Sequence, residues 1–166
     1  MSYLLRKVRK ARWDPAYRIE IGLASDDIPS DCLADLNTSK CALSLWQVHA
    51  DRSNVDAITA AMASTRDIFA NFEFTLVDYA RVEAIGALNK TEGDSPNVRA
   101  NNDWHWDLSG LSTDRLNQLA TVIYQSGIRF RIIRRDVENI IRNALRTGQI
   151  DRAKVNDKLR PKLGIL

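Results

Sequence analysis

Between Cys41 and Val77 the chain reads as strand, helix, strand, and no other stretch limits the fold as much. Over Cys41–Val48, Leu43, Leu45 and Gln47 alternate with Ala42, Ser44, Trp46 and Val48. Both faces of that strand are mostly apolar, which suits a central position in a sheet. A helix is predicted next. Ser53-x-x-Asp56 approximates a capping box, and Val55, Ile58, Met62 and Phe69 recur at helical spacing. The alanines at 57, 60, 61 and 63 let this helix approach a sheet closely. Phe72–Val77 reads as the second strand, so the helix is a crossover. A right-handed crossover into a parallel pair is one arrangement, and other pairings also fit.

Before this unit, Tyr3–Trp13 fits a strand or a helix until Asp14-Pro15 breaks it. Tyr17–Ile21 alternates and is expected to be a strand ending at Gly22. Ser30 is placed to cap a short helix running to Leu36. After the unit, residues 81–88 suggest a short helix, and Asn89 to Asp103, with Gly93, Pro96 and several Asn, suggests a loop. The last third carries helical signals. Ser112 is a plausible cap for a helix with Leu116, Leu119, Ala120 and Ile123 on one face and Gly127 at its end. A second helix is predicted from about Ile128 to Thr147, and a third from Asp151 to just before Pro161, burying Val155 and Leu159.

Charge is unevenly distributed. Residues 1–18 hold six basic side chains and one acidic; residues 127–166 hold eleven and four; the 108 between them hold seven and sixteen. The net +3 therefore hides two basic ends around an acidic middle. Such asymmetry points to an anionic partner, or to ends that dock onto the centre. The chain has no apolar run long enough to span a bilayer and no hydrophobic stretch near its start, so a cytoplasmic protein without a membrane is expected.

No catalytic or cofactor motif accompanies the charge. The seven glycines never cluster into a phosphate cradle, and there is neither a Gly-x-Ser-x-Gly elbow nor a His-Glu-x-x-His. Cys32 and Cys41 lie nine apart, and with His49 and His105 they match no zinc spacing. No cofactor and no metal are expected.

Three places could carry chemistry. The richest is Asn101-Asn102-Asp103-Trp104-His105-Trp106-Asp107, where His105 with Asp107 offers an acid–base group and Trp104 and Trp106 offer stacking faces. An extended segment would put both indoles on one face and His105 with Asp107 on the other. Core filling is the first reading of these tryptophans. His49, after the strand and before the crossover helix, is a second candidate catalytic residue, with Asp51 beside it. The third is a row of arginines, Arg131, Arg135, Arg142 and Arg146, which would share one face of the predicted helix and could meet phosphates or a partner.

The expectation is one α+β domain over 1–166: a mixed part over about 1–88 whose small sheet lies in the N-terminal half, a loop over about 89–103, and a helical C-terminal third over about 111–160. Its expected role is non-enzymatic, through macromolecular contact with a protein partner. Nucleic-acid binding through the basic C-terminal helices is the first alternative, and a small enzyme built on His105 is the second. Homo-oligomerisation is compatible with all three.

Overall fold

The computed structural model describes residues 2–24 and 26–165. The fold is α+β. Six strands, β1 (Tyr3–Lys7), β2 (Leu43–Val48), β3 (Phe72–Asp78), β4 (Ala87–Lys90), β5 (His105–Ser109) and β6 (Ile128–Ile132), form one sheet in the order β4-β5-β2-β1-β3-β6. Every neighbouring pair is antiparallel.

β1 is central because it is apolar on both faces: Leu4 and Leu5 are fully buried on opposite sides of the sheet. One face carries Leu5, Trp46, Val48, Phe72, Phe74 and Leu76. It is covered by α2 (Val55–Ala63), α4 (Val98–Trp104) and α6 (Arg134–Arg146). The other face carries Leu4, Leu43, Leu45, Val77 and Leu108. It is covered by α5 (Thr113–Ser126), α3 (Tyr79–Glu83) and two 3-10 segments, Lys10–Trp13 and Ser30–Asp35.

The expected crossover is present. Because β2 and β3 are both antiparallel to β1, they run parallel to each other with β1 between them, and α2 joins them. Ala60, Ala61 and Ala63 are buried where α2 packs. The same logic makes β5 and β6 parallel across three intervening strands, joined by α5. Ser112 caps α5 by accepting from the Arg115 amide, as its position suggested.

Several expectations fail for local reasons. Tyr17–Ile21 is not a strand but belongs to α1 (Pro15–Glu20) and its end. Asp14 caps that helix by accepting from Ala16 N, Pro15 supplies a preset first turn, and Ile19 and Ile21 stay exposed. The Ser53-x-x-Asp56 box does not form. Asn54 sits at the cap of α2, and its amide instead accepts from His49 N at 3.0 Å and donates to Gln47 O at 3.0 Å. Residues 89–103 are not one loop, since β4 runs to Lys90 and α4 begins at Val98, where Asn97 caps it through Ala100 N. The helix expected from Ile128 starts only at Arg134, and Ile128–Ile132 is the edge strand β6. The sheet therefore draws three of its strands, β4, β5 and β6, from the second half of the chain. The segment from Asp151 is a 3-10 turn, Arg152–Lys154, followed by α7 (Arg160–Leu163), with Val155 and Leu159 buried between them.

Candidate functional site

His105 opens β5 opposite Trp46 of β2, and Asp107 lies opposite Ser44. Strand alternation puts His105 and Asp107 on the face covered by α2, α4 and α6. Thr91 follows β4, and its amide donates to His105 O at 3.2 Å, which brings its side chain between the two. The Thr91 hydroxyl donates to Asp107 Oδ2 at 3.1 Å and stands 2.9 Å from His105 Nδ1. A hydroxyl has one proton to give. With that proton on Asp107, the Thr91 oxygen is left to accept from His105 Nδ1–H. The other carboxylate oxygen accepts from the Ser44 hydroxyl at 2.8 Å. Asp107, Thr91 and His105 thus form a chain that sets the imidazole's orientation. The ring also meets Trp46 edge-on, centroids 5.0 Å apart.

Backbone packing reinforces the arrangement. A Cβ on Gly93 would lie 3.1 Å from His105 Cγ and 2.8 Å from Asn101 Oδ1, so a side chain there would displace one of them. Asn101, buried in α4, holds the neighbouring loop: its Oδ1 accepts from Ser95 N at 3.0 Å and Ser95 Oγ at 2.6 Å, while its Nδ2 donates to Ser95 O at 2.8 Å.

His105 lines an open cavity of about 330 Å³ together with Trp46, Ser44, Lys7, Arg66 and Asp94. Its Nε2 has no hydrogen-bond partner among the described residues. Lys7 is the last residue of β1, and Arg66 follows α2. Arg66 Nη1 donates to Asn71 O at 3.4 Å, its guanidinium lies over Phe72, and its Nη2 is buried without a partner. Burial holds the Arg66 pKa below the usual guanidinium value. Burial also lowers Lys7, and the neighbouring Arg66 charge lowers it further.

The structure separates the other candidates from this cavity. His49 sits in the turn between β2 and α2, its Nδ1 3.1 Å from Ser53 Oγ and its ring edge-on to Trp104 at 5.6 Å. Asp51 is engaged by the Ser53 amide, whose hydrogen bond lowers its pKa. Trp104 and Trp106 do not share a face. Trp104 ends α4 and packs on the cluster of Trp46 and Val48, whereas Trp106 lies across the sheet against Tyr79, centroids 5.8 Å apart. The helix-to-strand switch at His105 is the reason.

The arginine row is also divided. Arg131 belongs to β6 and pairs with Glu73 directly across on β3, Nε–Oε1 2.6 Å, on the sheet face away from α6. Arg142 donates to Glu138 Oε1 at 2.7 Å and to Lys162 O at 2.7 Å. Arg146 reaches Asn143 Oδ1 at 2.9 Å, and Arg135 is exposed, 3.8 Å from Asp136.

Sequence reasoning found His105 and Asp107 but missed Thr91, Ser44, Lys7 and Arg66. These come from four separate stretches, and only strand register and the α2 crossover bring them together. Among the described residues, no group of three or more His, Cys, Asp or Glu converges as a metal site would require. No family model, curated protein or solved structure matches the chain, so its function is read from the site alone.

Proposed function

We propose that this protein acts by binding rather than by catalysis, and that the His105 cavity receives a chemical group of its partner. One observation carries the reading: an imidazole held at Nδ1 by Thr91 lines an open cavity, with no hydrogen-bond partner on Nε2 among the described residues. The hydroxyls that might attack a substrate there are engaged, Ser44 on Asp107 and Ser95 on Asn101. Both hydroxyls hold groups of the site itself in place, which suits recognition. A protein partner fits an open cavity better than a deep enclosed one would. No helix among the described residues is long and apolar enough to cross a membrane.

A second reading is an enzyme using His105 as general base. It is favoured by the Asp107–Thr91–His105 chain, which has the base-plus-orienting-group logic of acid–base sites. Nucleic-acid binding by the C-terminal arginines has less support, because Arg131 and Arg142 are engaged within the chain.

The test uses the full chain and the ring-proton NMR signals of its two histidines. A library of small molecules and peptides is titrated, with His49 as the internal reference. Compounds that move the His105 signal saturably, and stop doing so in His105→Gln, support the binding reading. Consumption of such a compound by the wild type but not by His105→Gln would replace it with the enzymatic one. A library that leaves His105 unmoved overturns both.

A further inference from the structure

Two cations share the His105 cavity with no carboxylate between them. Other basic side chains on or beside β1 and β3 have oxygen partners: Arg6 donates to Asp35 O and Ser44 O, Arg12 pairs with Asp35, and Arg131 pairs with Glu73. Lys7 has neither a hydrogen bond nor an ion pair among the described residues. Arg66 has one long bond to a carbonyl and one buried nitrogen, Nη2, with no partner. Asp94 lies at the rim, exposed, and pairs with neither cation. An unpaired buried donor costs free energy, and two adjacent like charges add repulsion. The lowered pKa of Lys7, caused first by burial and next by Arg66, reports the same tension.

An anion in the cavity would relieve the repulsion between the two cations. Charge matching narrows its identity. Two cations beside one exposed carboxylate leave the cavity net positive, and a phosphate monoester offers such donors two negative charges and three oxygens where a carboxylate offers one charge and two. The donors also differ in a useful way. Arg66 presents a planar guanidinium, whose Nη1 also reaches Asn71 O, and Lys7 a compact point charge that reaches solvent. Both cations sit on well-fixed elements, the end of β1 and the turn after α2, so little ordering is needed on binding.

We propose that the Lys7–Arg66–His105 cavity binds a phosphate group, carried on a phosphorylated side chain of a protein partner or on a small phosphate ester. The proposal rests on the reading that this cavity is where the chain meets its partner.

The test again follows the His105 ring proton against His49 in the full chain. Inorganic phosphate, a phosphoserine peptide, its unphosphorylated form, glycerol phosphate and acetate are titrated near neutral pH at constant ionic strength, which removes general screening. Phosphate is expected to move His105 saturably while His49 stays still, with acetate at least about tenfold weaker. Lys7→Met should weaken phosphate by about tenfold or more. Lys7 reaches solvent, so this variant keeps the fold, and an unmoved His49 signal checks that. Arg66→Lys keeps the charge but loses the fork, and should weaken binding without abolishing it. Tighter binding of the phosphopeptide than of glycerol phosphate identifies a protein source; the reverse identifies a small ester. Binding unchanged in Lys7→Met, or acetate as tight as phosphate, overturns the proposal. If phosphate leaves His105 still while neutral compounds move it, the proposal falls and the cavity reading stands. If nothing moves it, both fall.

Discussion

At Thr91 one hydroxyl, 2.9 Å from His105 Nδ1, orients the imidazole. It donates to Asp107 and accepts from His105 Nδ1, so Thr91→Val removes both bonds and leaves the carboxylate one partner short. The expected loss of stability is about 1 kcal/mol, the usual net worth of such a bond. The sharper expectation concerns the tautomer: nitrogen NMR of His105 should show a single Nδ1–H form in the wild type and a mixture in Thr91→Val. A single form in both would mean that Thr91 does not set the proton. Cys32 shows a different control. It is fully buried, its Sγ lies 3.1 Å from Arg12 O, and burial pushes its pKa from 9.0 to about 12. Above pH 9 the unfolded chain loses this proton while the folded chain keeps it, so folding stability falls as pH rises between those two values. Cys32→Ala removes that dependence. In denaturant titrations the stability gap between wild type and variant should shift, in favour of the variant, by on the order of 1 kcal/mol per pH unit above the thiol's ordinary range. A gap constant with pH would show that the thiol ionises alike in both states. Cys41, which is exposed, should meet a thiol reagent well before Cys32 does.

The junction between α5 and β6 shows what an element boundary requires. Gly127 has an ordinary backbone, φ −68°, so its conformation would accept any residue. Space would not: an added Cβ would stand 2.4 Å from Thr75 Oγ1 and 2.5 Å from Ile123 O. Gly127→Ala should therefore cost about 1–3 kcal/mol by overpacking. A melting temperature equal to the wild type's would show that the end of α5 shifts freely. This junction is also where sequence reading went astray. Ile128, Phe130 and Ile132 alternate with Arg129 and Arg131, a period of two, yet the strong helical period of Val137, Ile141 and Ala144 follows at once and absorbs them. The opposite error occurred at Tyr17–Ile21, where alternation within a capped helix mimicked a strand. Elements with a long helical period were legible, α5 with its Ser112 cap and α2 without the cap its sequence suggested. The polar pair His105 and Asp107 was legible because both lie in one short run. Lys7, Ser44, Thr91 and Arg66 were not, because no local spacing records which strands will become neighbours.

Across the whole molecule, segregated charge resolves largely into contacts between the ends and the middle. Asp35 accepts from Arg9 N at 2.8 Å and from Trp13 Nε1 at 2.9 Å, and pairs with Arg12 at 3.5 Å. Glu73 accepts from Lys10 N at 2.9 Å and from Arg131 Nε at 2.6 Å, so one carboxylate joins the N-terminal segment to the edge strand near the other end. Asp67 pairs with Lys158. Two consequences separate this internal role from a nucleic-acid footprint. Asp35→Ala strands the indole N–H of fully buried Trp13 and a backbone amide, and should lower stability by about 2–3 kcal/mol, well beyond the value of an exposed ion pair. With Arg12, Arg131, Arg142 and Lys158 engaged within the chain, the basic ends should bind labelled DNA and RNA weakly even at about 50 mM salt, whereas several free phosphate contacts would give tight binding that collapses by about 200 mM. Tight, salt-sensitive binding lost in Arg135→Glu with Arg142→Glu would show that the internal pairs open to admit phosphates. Weak binding together with a large loss in Asp35→Ala would mean that Asp35 and Glu73, the two carboxylates that hold the N-terminal segment in place, account for part of the charge pattern first met in the sequence, while the adjacent Lys7 and Arg66 remain for an external anion.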